Sequence, residues 1–222
     1  MKTYELVVPC HFGLEAVLKR EIYDLGYEIS RVEDGRVSFQ GGCGAVCRAN
    51  IFLRTAERVL IEVGRFRATT FEELFQGIKA LPWEDYIPVN GKFWVKKASS
   101  IKSKLFSPSD IQSIAKKAMV ERMKQHYDVE WFAEDGAPYP VRIFLLKDEV
   151  MVTLDTSGDS LHKRRIPHPD EQGTSDRDAG SFPAAVDAVE TGPDSGGSVL
   201  RQRYVPDRGG DDCCRYCARN EP

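Results

Sequence analysis

Apolar positions in the first third of the chain switch between a two-residue period and a helical one. "YELVVPC" (residues 4–10) is a short β-rich run. "HFGLEAVLKREIYDLG" follows, with Leu14, Val17, Leu18, Ile22 and Leu25 at helical spacing and Gly26 as the stop. "YEISRVEDGRVSFQG" predicts two short strands around a Glu-Asp-Gly turn. "AVCRANIFLRTAERV" predicts a second helix running into the strand "RVLIEVGRFRA". The order β-α-β-β-α-β predicts a small split-βαβ sandwich over about residues 1–65.

A second unit opens at "TTFEELFQGIKALPWEDY". Thr70 with Glu73 forms a capping-box pattern, and Phe71, Leu74 and Ile78 make an apolar stripe. Trp83 reads as a packing aromatic. "KFWVKK" predicts a strand with alternating lysines. Ser107-Pro108-Ser109-Asp110 marks a helix start: Ser107 caps, Pro108 takes the first helical position and Asp110 closes the box. Ile111, Ile114, Ala115, Ala118, Met119 and Met123 then line one face. "YPVRIFLLKDEVMVTLDTSG" predicts two strands around a Lys-Asp-Glu turn. The fold class is α+β, with the second unit covering about residues 66–164.

The pattern stops at Arg165. The last 58 residues hold seven Gly and six Pro, but one Leu, one Ile and one Phe. They carry seven Arg, no Lys and eleven acids. Such a segment cannot bury enough apolar surface to offset its ordering entropy, so a disordered tail is expected over 165–222.

Whole-chain totals add little, since a formal charge of -3 in 222 residues is ordinary. No run of 18 apolar residues exists, so no membrane-spanning helix is expected. The N-terminus lacks the apolar core of a signal peptide, so a cytoplasmic protein is expected. Its six cysteines do not make a disulfide framework in a chain of this kind.

Local charge says more. From Gly91 to Tyr127 there are nine Lys and Arg against two acids, Asp110 and Glu121. Lys102 and Lys104 lie in "SSIKSKLFS", a polar stretch between a strand and a helix. Ser99, Ser100, Ser103 and Ser107 add hydroxyls and amides before the helix N-terminus, a composition suited to cradling phosphate. A solvated face is the competing reading beside nucleic-acid binding. Cys10-His11 could begin a metal site but has no second ligand pair at suitable spacing. His162-Lys163-Arg164 is a short basic cluster that either touches phosphate or forms a solvated linker. No nucleophile elbow, P-loop, zinc-protease or dinucleotide fingerprint is present, so nothing in this part argues for catalysis.

Four stretches carry a resemblance: "VPCHFGLEAVLKREIYDLGYE", "RANIFLRTAERVLIEVGRFRATTFEELF", "KKASSIKSKLFSPSDIQSIAKKAMV" and "VTLDTSGDSLHKR". Over residues 1–164 the chain resembles the THUMP-containing RNA methyltransferases of the ribosomal RNA guanine-N2 type. The resemblance implies a ferredoxin-like N-terminal domain, then a THUMP domain that captures structured RNA, here ribosomal RNA. It also implies a following catalytic domain that uses S-adenosylmethionine. Carried over by position, Lys96, Lys97, Ser100, Lys102, Ser103, Lys104, Ser107, Lys116 and Lys117 would face RNA. Asp155–Gly158 and Leu161–Arg164, with His162 and Lys163 among them, would lead towards the catalytic domain.

Past "LHKR" the family's Gly-Tyr-Arg and its cofactor loop, Asp-Pro-x-x-Gly-Ser-Gly-Thr, are absent in frame. They can be recovered one base out. "SGGSVLRQRY" (195–204) can be encoded so that the shifted frame reads Leu-Val-Asp-Pro-Phe-Cys-Gly-Ser-Gly-Thr. Residues 165–168 can likewise yield Gly-Tyr-Arg, whereas Gln172 cannot yield the acid expected there. The tail is therefore expected to be a frameshifted reading of a methyltransferase domain's start. Cys213-Cys214-x-x-Cys217 then carries no metal or redox meaning. Three readings stay open: an RNA-binding module without its catalytic domain, a fragment of an active methyltransferase, and a non-catalytic interaction protein. On the first, this chain holds no cofactor, metal or membrane.

Overall fold

A single β-sheet runs through both sequence units. The computed structural model describes residues 2–164, without the side chains of Lys163 and Arg164. The expectations of a disordered tail and a shifted frame concern residues 165–222 and lie outside the described residues. The first unit comprises β1 (Tyr4–Pro9), α1 (Glu15–Asp24), β2 (Ile29–Glu33), β3 (Arg36–Gly41), α2 (Cys43–Phe52) and β4 (Leu60–Arg67). The second comprises α3 (Phe71–Ala80), a 3-10 turn (Trp83–Asp85), β5 (Lys92–Ile101), α4 (Pro108–Tyr127), β6 (Pro138–Leu146) and β7 (Glu149–Asp155). A last 3-10 turn covers Leu161–Arg164. The seven strands lie in the order β2-β3-β1-β4-β7-β6-β5. All neighbours are antiparallel except β5 and β6, whose parallel pairing requires a crossover, here α4.

Strand β4 joins the units. It pairs with β1 through Leu6↔Ile61 and Val7↔Leu60, and with β7 from Leu60↔Asp155 to Arg67↔Glu149. The core lies between the sheet and its helices. Leu6, Val8, Phe39, Ile61, Val152 and Leu154 share it with Leu18, Ala49, Leu74, Trp83 and Met119. The alternate strand positions Val7, Leu60 and Met151, with Phe144, form a smaller cluster apart from those helices. Long cations cover it. The Arg36 guanidinium lies 5.5 Å from the Phe144 ring centroid, and Arg65 Nη2 lies 3.3 Å from Met151 Sδ. Stems of charged side chains thus replace a second apolar layer.

Local signals set the helix starts. Ser107 Oγ accepts from Asp110 N at 3.5 Å, with Pro108 in the first turn. Thr70 Oγ1 accepts from Glu73 N at 3.2 Å. The Glu73 carboxylate reaches one residue further back than the box pattern implies, accepting from Thr69 N at 2.7 Å. Two expectations need correction. Helix α2 ends at Phe52 instead of running on to the next strand. The Glu21 carboxylate takes the Arg54 and Thr55 amides at 3.0 and 3.2 Å, which pulls the chain out of helical geometry. Strand β5 runs to Ile101, so Ser99 and Ser100 sit in a parallel ladder opposite Phe144 and Leu145 instead of in a loop.

One ion pair locks α4 to the 3-10 turn. Arg122 on α4 donates to the Glu84 carboxylate through Nε at 3.2 Å and also through Nη2. Those bonds hold the Glu84 carboxyl below the usual carboxylate range, against a smaller opposing effect of burial. A carboxyl lowered on folding stabilises the fold above its unfolded pKa, and that contribution fades as pH falls through the folded value. Arg122→Gln is expected to cost about 0.5–1 kcal/mol at pH 7 and less at pH 3, where the Glu84 carboxyl is taking up its proton. Urea unfolding at both pH values checks this; an equal loss at both would contradict it.

Candidate nucleic-acid interface

The β5–α4 loop is built by bonds among its own polar groups. Ser100 Oγ donates to Leu105 O, and Ser103 Oγ donates to Ile101 O at 3.1 Å. The β6–β7 turn braces the loop from the side. Its two residues, Lys147 and Asp148, both take positive φ, the conformation of a tight hairpin turn. Asp148 N donates to Ser103 Oγ at 3.0 Å, and Asp148 Oδ1 accepts from Lys104 N at 2.8 Å. Lys147 N donates to Ile101 O at 3.2 Å. Lys102 itself sits at φ 50. The result presents Lys102, Lys104 and Lys147 to solvent.

The serines serve that construction. Ser100, Ser103 and Ser107 are engaged with main-chain groups, and an aspartate carboxylate already occupies the Lys104 amide. The loop offers phosphate its lysine ammonium groups, while the serine hydroxyls and the Lys104 amide are already engaged.

The remaining predicted residues lie in two other places. Lys96 and Lys97 stand on β5, about 16 Å of strand away from Lys102. Lys96 Nζ donates to Gly158 O at 3.2 Å and lies 3.9 Å from Asp155 Oδ2. That carboxylate also accepts from Arg58 Nη1 at 2.8 Å and Arg142 Nε at 3.0 Å. Arg58 donates further to Gly158 O at 2.8 Å and Ser160 Oγ at 2.7 Å. Lys97 is exposed and pairs across the sheet with Arg142.

Lys116 and Lys117 lie on α4. Lys116 begins the third turn or so of the helix, about 12 Å along the axis from Pro108. It is turned into the fold. Its ammonium donates to Phe93 O and to Glu134 at 2.9 Å, and it sits 3.9 Å from the Phe93 ring centroid. Lys117 stays exposed, 5.8 Å from the Phe75 ring centroid. His162 is exposed; the side chains of Lys163 and Arg164 lie outside the described residues. One stretch of sequence therefore supplies a loop cluster, a β5 cluster and a helix cluster.

Sequence reasoning missed Arg58, Arg142, Lys147 and Phe106. The two arginines come from strands and loops far from β5 in sequence, with no local signal. Cys10 follows β1 and is buried in an isolated bridge to Ala56. Burial first, then Glu15 and Glu57, push its thiol up to about 11, which disfavours the thiolate a metal needs. No group of three or more His, Cys, Asp or Glu that could hold a metal occurs among the described residues. No helix among them is long and apolar enough to cross a membrane.

Residues 5–60 match the model of the RlmL ferredoxin-like domain, and residues 68–155 match that of the THUMP domain. The chain carries these two domains in tandem. The expected α+β architecture therefore stands. The loop lysines, Lys96, Lys97 and the α4 lysines all belong to the THUMP domain. Asp155 is the last residue of its match, and Arg58 ties it to the ferredoxin-like domain.

The chain is 49% identical over 166 residues to "Putative RNA methyltransferase YpsC" of Bacillus subtilis (strain 168), covering 74% of this chain and 43% of that protein. It is 32% identical over 166 residues to "Ribosomal RNA large subunit methyltransferase K/L" of Ectopseudomonas mendocina (strain ymp), covering 72% and 22%. Among solved structures it is similar to "SMU.472, a putative methyltransferase complexed with SAH", at 44% identity and TM-score 0.72, covering 76% of this chain and 46% of that one. The chain thus spans less than half the length of the relatives it matches.

Proposed function

We propose that residues 1–164 are the RNA-capturing part of a cytoplasmic ribosomal RNA guanine-N2 methyltransferase. The observation that carries this is the braced β5–α4 loop of a THUMP domain, which holds Lys102 and Lys104 outward beside Lys147. Lysines on a braced loop backbone meet phosphates with only their side chains left to order, and they position RNA without reading its bases. Lys97 and Lys117 extend the charge; Lys116 stabilises the fold around Phe93 and Glu134. S-adenosylmethionine belongs to the catalytic domain of the intact family member, not to this chain. By itself this chain binds RNA and does not methylate it.

The test is a binding titration of structured RNA at several salt concentrations. Each phosphate contact adds roughly 0.7–0.9 to the slope of log affinity against log salt. Lys102→Ala with Lys104→Ala is expected to make the slope shallower by about 1.5. At 0.1 M salt it should weaken binding by between about ten- and a hundredfold. Unchanged affinity and slope would remove this loop from the interface.

The tail belongs to the same proposal. Residues 165–222 are a shifted frame of a methyltransferase domain's opening. Its support is the single offset that restores both Gly-Tyr-Arg and the cofactor loop. Sequencing the DNA across codons 164 and 165 and past 222 decides it. An open frame with no methyltransferase text in any register would refute the shift and leave RNA capture intact.

A further inference from the structure

We infer that Phe106 is a stacking platform for an unpaired base of the captured RNA, with Lys102 and Lys104 of the same loop neutralising the adjoining phosphates. This deepens the RNA-capture proposal and rests on it.

Phe106 stands immediately before the helix cap Ser107. A hydrophobic residue at that position ordinarily packs against the fourth residue of the helix, here Ile111. It does not do so here. Ile111 is fully buried, while Phe106 is 83% exposed. The preceding residue takes the inward place: Leu105 is 5% exposed and part of the core. Three fixed points impose this alternation: the Ser100 hydroxyl on Leu105 O, the Asp148 carboxylate on Lys104 N, and the Ser107 cap on Asp110 N. With Leu105 turned in, its neighbour must turn out. The exposed ring is thus a product of the loop's own bonding.

Charge separates this ring from the two aromatics that are as fully exposed, Trp131 and Phe12. Trp131 is 86% exposed, but Asp128, Glu130, Glu134 and Asp135 surround it in sequence. Phe12 is 83% exposed and lies against the Gly35 turn, with Glu15 bonded to Gly13 and Gly35 beside it. Those carboxylates would repel a phosphate backbone. Around Phe106 the order is reversed: residues 101–109 contain Lys102 and Lys104 and no acid. Three acids approach the loop, each placed by the fold: Asp148 accepts from the Lys104 amide, Glu73 accepts from Thr69 N within reach of the Lys104 charge, and Asp110 lies on the first turn of α4. An aromatic face on a loop that also carries cations is an arrangement that stacks a base while its phosphates are held. A base inside a duplex is already stacked on both sides, so the ring selects unpaired nucleotides.

The experiment uses the 222-residue chain and two RNAs sharing one stem, one blunt and one with a short single-stranded extension. Fluorescence anisotropy reads both affinities. Wild type is expected to prefer the extended RNA. Phe106→Ala and Phe106→Leu should each lose about tenfold on it and nothing on the blunt one, while Phe106→Trp should retain the preference. The ring is exposed, so thermal melting of the variants should match wild type. If Phe106→Ala binds both RNAs like wild type while the Lys102/Lys104 double variant loses both, the stacking role is overturned and capture stands. If wild type binds neither RNA at low salt, both proposals fall.

Discussion

Asp155→Ala is expected to destabilise the fold by about 3–5 kcal/mol, read as a lower denaturant midpoint in urea unfolding. Asp155 is fully buried in its side chain and faces three cations: Arg58 at 2.8 Å, Arg142 at 3.0 Å and Lys96 at 3.9 Å. The first two are themselves mostly buried, with side chains 11% and 13% exposed. Removing the carboxylate leaves two guanidinium groups facing each other in a site with little water. The Ser157 amide, which donates to Asp155 Oδ1 at 3.1 Å, also loses its acceptor. Asp155→Asn keeps an acceptor but not the charge, so an intermediate loss is expected. A loss below about 1 kcal/mol for alanine would mean that the cluster behaves like a surface ion pair. The consequence reaches the chain beyond. Arg58 holds Gly158 and Ser160, Thr156 N donates to Val59 O at 3.1 Å, and Leu161 N donates to Glu57 O at 2.9 Å. Hydrogen exchange at 156–161 should therefore quicken in the alanine variant more than exchange in α1.

Trp83→Ala is expected to cost about 3–5 kcal/mol, with no direct effect on RNA affinity in the fraction that remains folded. The indole is fully buried in the 3-10 turn after α3, and Nε1–H donates to Ile78 O at 2.8 Å. That carbonyl, in the last turn of α3, also accepts from the Leu81 amide at 3.3 Å, so the indole is its second donor and ties the 3-10 turn to the helix terminus. Alanine removes the largest of the fully buried side chains and this donor together. Trp83→Phe keeps most of the volume and removes the donor, so about 1–3 kcal/mol is expected. Melting temperatures of the two variants separate packing from hydrogen bonding. Equal losses would mean that the hydrogen bond dominates.

What the sequence disclosed follows from how local each cause is. Thr70 and Ser107 cap their helices because a hydroxyl and an amide three residues apart decide the matter. The Lys147-Asp148 turn is legible for the same reason. The end of α2 is not, because Glu21 intercepts the Arg54 and Thr55 amides from a separate helix. A charge count located the cationic stretch but could not orient it. Lys116 turns inward because Glu134, eighteen residues on, comes to meet it. Lys96 faces Asp155 only because β5 and β7 lie one strand apart in the sheet. Phe106 gave no signal, since its place before a cap suggests packing and only the fixed inward turn of Leu105 denies it.

Strand β4 occupies residues 60–67, which is almost the whole interval between the two domain matches. A cut placed there would leave β1 and β7 each with a bare edge, and bare edges aggregate. In this chain the ferredoxin-like and THUMP domains are therefore two halves of one sheet, and a boundary drawn between their matches is not a place where the protein can be divided.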